Sequence, residues 1–137
     1  MRGGDLALVR EKIQDVESVE APQGHPRLGD ELAEVTNGIV RLFSEYYGRG
    51  PTRAKSYLLE DRYVVTVLRD TMTTVERTLA ENGHIDMVRK VRLTFQETMA
   101  AEFKGVVERA MGRRVQSYHS QILVEPDVGF EFFLLEP

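Results

Sequence analysis

The stretch GRGPTRAKSYLLEDRYVVTVLR, residues 48–69, decides how the rest of the chain is read. Before it, Leu32, Val35, Ile39, Leu42, Phe43 and Tyr46 recur at helical spacing, and Asp30 stands where a carboxylate would cap the free N–H groups of that helix. Gly48 falls where the stripe stops, at a position suited to a left-handed helix cap. AKSYLL and YVVTVLR follow, rich in β-branched and aromatic residues and separated by the charged turn EDR, so they read as a hairpin. The unit is helix, glycine turn, hairpin.

The same unit recurs at the other end. TTVE opens a short helix, with Thr73 and Glu76 spaced for a capping box. Asn82-Gly83 ends it, and Val88, Val91, Phe95, Met99, Phe103, Val106 and Ala110 predict one long helix over about residues 86–111, with Gly112 as its cap. Then comes GRRVQSYHSQILVEPDVGFEFF, residues 112–133, which like the first stretch begins Gly-Arg, carries Ser-Tyr in its first strand and turns at acidic residues. The expected fold is α+β, a two-layer sandwich of αββ-α-αββ order. A four-stranded antiparallel sheet would carry two long helices on one face.

Both faces of that sheet are apolar on paper: Tyr57 and Leu59 oppose Ser56 and Leu58, and Phe130, Phe132 and Leu134 oppose Phe133 and Leu135. Helices on one face would leave the other uncovered, which predicts a homodimer contact through the sheet face or through the N-terminal segment. That segment, residues 1–28, reads as an amphipathic helix (Leu6, Val9, Ile13, Val16) running into the Pro- and Gly-rich linker VEAPQGHPRLG, ahead of a single domain over 29–137.

Bulk composition narrows the function. The chain of 137 residues carries net charge -4, a poor match for a nucleic-acid binder, whose phosphate contacts need a basic surface. It has no cysteine, so thiolate metal sites, iron–sulfur clusters and thiol nucleophiles are excluded. No apolar run reaches the ~20 residues of a membrane span, and the N-terminus lacks a secretory apolar core; a cytoplasmic location is the expectation.

Gly48, Arg49, Gly50, Thr52, Arg53 and Lys55, joined by Arg92 from the long helix, form the one candidate ligand site. Glycines admit backbone N–H groups to an anion and the cations supply charge. Against this, a helix cap and turn followed by a solvated strand needs no ligand, and no Gly-Lys-Ser/Thr loop is present. Arg92 itself reads as part of a solvated helix face, and Glu76 as a cap alone. His119 with Ser117 or Ser120 lacks a third partner for a catalytic triad, and no histidine pair has metal-ligand spacing. No catalytic residue, metal or cofactor is assigned, and the pattern points away from an enzyme.

The Gly48-Arg49-Gly50-Pro51 turn, Arg53 and Lys55, the Thr73–Glu76 helix start with Leu79, Arg92, and Ser117 with His119 together resemble the MpsC-like family, over roughly residues 29–124. The family is named for a sodium-translocating, membrane-potential-generating system. The resemblance implies a non-enzymatic cytoplasmic accessory protein with a membrane-associated partner, linked to membrane-potential or inorganic-carbon systems. The alternative is a small-anion or phosphate sensor using the Gly48–Lys55 turn.

Overall fold

A computed structural model describes residues 27–137; the amphipathic stripe expected at Leu6–Val16 lies outside the described residues. The elements run α1 (Leu28–Tyr47), β1 (Arg53–Leu59), β2 (Tyr63–Arg69), α2 (Thr74–Glu81), α3 (Ile85–Thr98), α4 (Ala100–Met111), β3 (Val115–Leu123) and β4 (Val128–Leu135). The sheet is antiparallel throughout, in the order β1-β2-β4-β3. Each hairpin keeps its own two strands together, and β2 pairing with β4 joins the two hairpins at the centre, with Val65 opposite Phe132. This is the expected α+β sandwich.

α1 lies along β1 and against α4, while α3 and α4 reach β3. Leu28, Leu32, Val35, Ile39 and Phe43 of α1 are buried at spacings of three and four, as an amphipathic helix requires. They meet Leu58, Val64, Leu68, Phe133 and Leu135 of the sheet in one core with Phe103, Val106 and Val107 of α4. Aromatic rings bind the layers: Phe43–Phe103, Phe103–Tyr118 and Tyr118–Phe133 have centroids 5.7, 5.7 and 4.9 Å apart.

Several local expectations hold. Gly48 and Gly112 cap their helices with φ of 78° and 66°. The Thr73–Glu76 capping box is complete: Thr73 N–H donates to Glu76 Oε1 at 2.9 Å, and Glu76 N–H to Thr73 Oγ1 at 3.2 Å.

Three expectations are corrected. α1 starts two residues before Asp30, at Leu28; Asp30 and Glu31 sit in its first turn, where they complement the helix dipole instead of capping it. The single helix over 86–111 is two. At the break Met99 takes φ -95° and ψ 9°, and the Thr94 and Thr98 hydroxyls donate to the carbonyls of Lys90 and Thr94, both at 2.7 Å. Such back-bonding competes with the helical ladder and bends it. Finally, Val91 is 55% exposed, while Val88, Arg92 and Gln96 point inward. Gln96 faces inward because the sheet beneath presents Glu131, and Arg92 because α2 presents Glu76.

Where α1 crosses α4, Gly38 lets the backbones approach: a Cβ there would fall 2.5 Å from Val106 Cγ1. Overpacking of this kind costs about 1–3 kcal/mol. Gly38→Ala should therefore lower the urea midpoint, despite alanine's better helix propensity.

Candidate functional site

The glycine turn is a brace as much as a surface. A Cβ on Gly50 would lie 2.5 Å from Ser44 Oγ, so the chain folds back tightly on the end of α1. Arg49 then reaches across to the loop between β2 and α2. Its Nη1 donates to the Met72 carbonyl at 2.6 Å and its Nη2 to Asp70 at 3.4 Å. Desolvation opposes ionisation of the Asp70 carboxyl, yet hydrogen bonds from Arg49 and Arg77 hold it below its ordinary pKa. Asp127, from the β3–β4 turn, accepts from Thr71 Oγ1 at 3.0 Å and from Met72 N–H at 2.9 Å. Three loops are thus laced around residues 70–73.

Arg92 is part of that lacing. Its side chain is 1% exposed, not solvated. Nε and Nη2 donate to the two Glu76 oxygens, each at 2.6 Å, and Nη2 also donates to the Thr71 carbonyl at 2.8 Å. The guanidinium stacks 4.1 Å from the Tyr47 ring centroid. Burial pushes the Glu76 carboxyl toward neutrality, but Arg92's hydrogen bonds and charge, with the Thr73 N–H, outweigh it and leave the pKa lowered. Glu76 is therefore both a cap and the counter-ion of a buried arginine.

The seven-residue candidate set divides accordingly. Arg49 and Arg92 turn inward to the 70–73 loop. Arg53 and Lys55 leave on β1 and project from the sheet face opposite the helices. There they meet a cation the sequence reading passed over: Arg69 sits directly opposite Arg53 in the β1–β2 register. Thr52 N–H donates to the Arg69 carbonyl at 3.1 Å, and Thr52, Arg53, Lys55, Tyr57, Val67 and Arg69 line a shallow depression of about 500 Å³. The three-residue turn between the strands was the available signal, since it fixes the pairing of Leu59 with Tyr63 and hence of Arg53 with Arg69.

Like charges opposite one another on paired strands are unfavourable. Arg53 and Arg69 make no ion pair with any described residue. Beyond them the same face continues through Tyr57 and Leu59 of β1, Tyr63, Val65 and Val67 of β2, and Phe130, Phe132 and Leu134 of β4, all partly exposed. Glu131 is the sole carboxylate in the four strands, and it points the other way, into the core. In a net acidic chain, the four described strands contribute cations and apolar groups to this outer face and no carboxylate.

The inner face holds the opposite chemistry. Glu131 is fully buried; it accepts from Gln96 Nε2 at 2.9 Å and from Tyr118 Oη at 2.7 Å. Burial raises its pKa to about 7, against the pull of Tyr118, Ser120, Gln96 and Arg92. Beside it, Tyr47 Oη and Gln96 Oε1 are buried without a hydrogen-bond partner among the described residues. Burial likewise lifts the Tyr47 hydroxyl to about 12. A second polar chain, Thr36–Ser56–Thr66, crosses from α1 to β2 in two 2.7 Å links.

His119 stands opposite Phe132 in the β3–β4 register and is exposed, whereas Ser120 turns to the core, so these two side chains do not share a face. His84 precedes α3 without capping it through its side chain. Among the described residues no group of three or more His, Asp or Glu could hold a metal ion, and no helix is long and apolar enough to cross a membrane.

A family model described as "Na+-translocating membrane potential-generating system (MpsC)" matches residues 29–137. The chain belongs to the MpsC family. The match takes in the last hairpin as well as residues 29–124. No curated protein and no solved structure matches the chain.

Two measurements check these placements. Glutamine preserves a capping box, so Glu76→Gln separates the two roles of Glu76. It should cost about 3 kcal/mol in urea unfolding at pH 7, the scale of a broken buried ion pair; an unchanged midpoint would leave only the cap. For Glu131, the unfolded chain releases its proton near the ordinary glutamate value while the folded chain holds it to about 7. Stability contributed by the protonated form therefore falls as pH rises through that window and levels off above it. Glu131→Gln should flatten the pH slope between 5 and 7 and be more stable than wild type at pH 8.

Proposed function

We propose that this MpsC-family domain is a non-enzymatic accessory module that works by contact, through the outer face of its sheet. The observation that carries the reading is that face: three adjoining strands of partly exposed aromatic and aliphatic side chains with no helix over them among the described residues. Contiguous apolar surface of this kind marks a contact site in soluble proteins. A second copy of the chain is the first partner, giving a dimer. The family description supports a membrane-associated system as the setting, and we place the domain on its cytoplasmic side.

The buried acids fit the same reading. Glu131 and Glu76 are enclosed by the core and by Arg92, so their perturbed titrations serve packing. The competing reading, an anion sensor using Gly48–Lys55 with Arg92, is weakened because Arg49 and Arg92 already have partners.

Light scattering at micromolar concentration tests the dimer. Wild type should give twice the chain mass of 15.6 kDa. Val65→Glu combined with Phe132→Glu, at the centre of the face, should give the single-chain mass with unchanged circular dichroism. A single-chain mass for wild type would overturn the dimer.

A further inference from the structure

Glu34, Gly38 and Arg41 follow one another on α1 at spacings of four and three, so they share one flank of that helix. Gly38 places the flank against Val106 of α4. On α4, Arg109 comes three residues after Val106. Together with Asn37 these residues line an open hollow of about 420 Å³ between the two helices. That volume is within the roughly 300–1,000 Å³ of small-molecule sites.

Two guanidinium groups border the hollow, one from each helix. Arg92, Arg49, Arg77, Arg89 and Arg113 each pair with an acid. Arg41 and Arg109 make no ion pair or hydrogen bond with any described residue, and Glu34, on the same wall, pairs with neither. Glu34 stands seven residues from Arg41, about 10 Å along the helix axis. Arg109 has a defined seat. A Cβ on Gly105, one turn before it, would fall 3.0 Å from Arg109 Nη1. The side chain therefore folds back over the bare backbone of α4, and glycine, a poor helix former, leaves it room.

We propose that the α1–α4 hollow binds a sugar phosphomonoester, with the phosphate between Arg41 and Arg109 and the sugar hydroxyls toward Glu34. A phosphomonoester dianion has three terminal oxygens. It accepts from two planar guanidinium forks at once and matches two positive charges with two negative ones. A carboxylate supplies one charge and leaves the other arginine unmatched. Asn37 adds an uncharged amide at the rim, while Gly38 and Val106 offer no polar side-chain atom. Glu34 repels a second anionic group and accepts hydrogen bonds from hydroxyls, so it selects a hydroxylated body over a second phosphate. The span of about 10 Å from Arg41 to Glu34 accommodates a pentose with its phosphate. The site draws neither on Gly48–Lys55 nor on the outer sheet face, and so stands or falls apart from the contact reading.

Isothermal titration of the full chain with ribose 5-phosphate, adenosine 5′-monophosphate, inorganic phosphate, sulfate and ribose tests the site. At least one of the two sugar phosphates should bind tenfold or more tighter than inorganic phosphate or sulfate, and ribose alone should give no heat. Which of the two binds tells a free sugar phosphate from a nucleotide. Arg41→Gln with Arg109→Gln should weaken that binding at least tenfold. Arg53→Gln with Arg69→Gln, which removes the same charge from the outer face, should leave it unchanged. Both variants should keep the wild-type circular dichroism. Glu34→Gln should narrow the preference for the sugar phosphate over inorganic phosphate. In the wild type, amide resonances of residues 34–41 and 105–110 should shift during the titration, a readout that needs no variant. Absence of binding at millimolar sugar phosphate overturns the proposal. So do equal affinity for sulfate, equal loss in the two arginine pairs, and shifts confined to residues 48–55.

Discussion

The buried pairing of Arg92 with Glu76 is the constraint around which the described fold closes. An arginine on α3 cannot be taken out of water unless its donors are met, and here α2 supplies both carboxylate oxygens, the 70–73 loop a carbonyl, and α1 an aromatic ring. Four separate pieces of chain must converge for the charge to be tolerated. The geometry is two-pronged and planar, which a guanidinium satisfies and an ammonium would not. A pair of this kind adds little to net stability over an apolar substitute, but it penalises every arrangement that separates its parts.

From there the polar chemistry spreads along the inner side of the sheet. Asp127, Asp70, Arg49 and Arg77 fasten the loops at one end; Gln96, Glu131 and Tyr118 continue beneath α3. The helix layer is therefore held to the sheet by two different means, an aromatic and aliphatic core under α1 and α4 and a hydrogen-bonded belt under α3. The break at Met99 falls between the two regimes. One helix face could not serve both without turning, and the Thr94 and Thr98 back-bonds supply the turn.

With the acids drawn inward or to the turns, the outer face is left apolar and cationic. That asymmetry is the basis for reading the domain as a contact module. It also relocates the candidate site. The residues Gly48–Lys55 remain adjacent in sequence, but α1's end and β1's pleat send them to two destinations, Arg49 to the loop lacing and Arg53 and Lys55 to the outer face, where Arg69 joins them.

The order of elements, the two glycine caps, the Thr73 capping box and both hairpins were legible in the sequence, because each depends on residues within a few positions of one another: a left-handed φ at Gly48, a side chain and an N–H three residues apart at Thr73 and Glu76, a period of two in the strands. The family membership was legible for the same reason. The environment of a charge was not. Arg92 has the same local signature as any cation on an amphipathic helix, and only the approach of Glu76 from 16 residues away and Tyr47 from 45 makes it a core residue. Val91 and Arg92 exchanged expected places because burial is set by what the neighbouring elements present, and here they present the Glu76 carboxylate, the Thr71 carbonyl and the Tyr47 ring. Electrostatic and packing energies act through space, so the sequence by itself determined the elements and their caps, while only the tertiary structure decided which charges are spent inside and which are left to meet another surface.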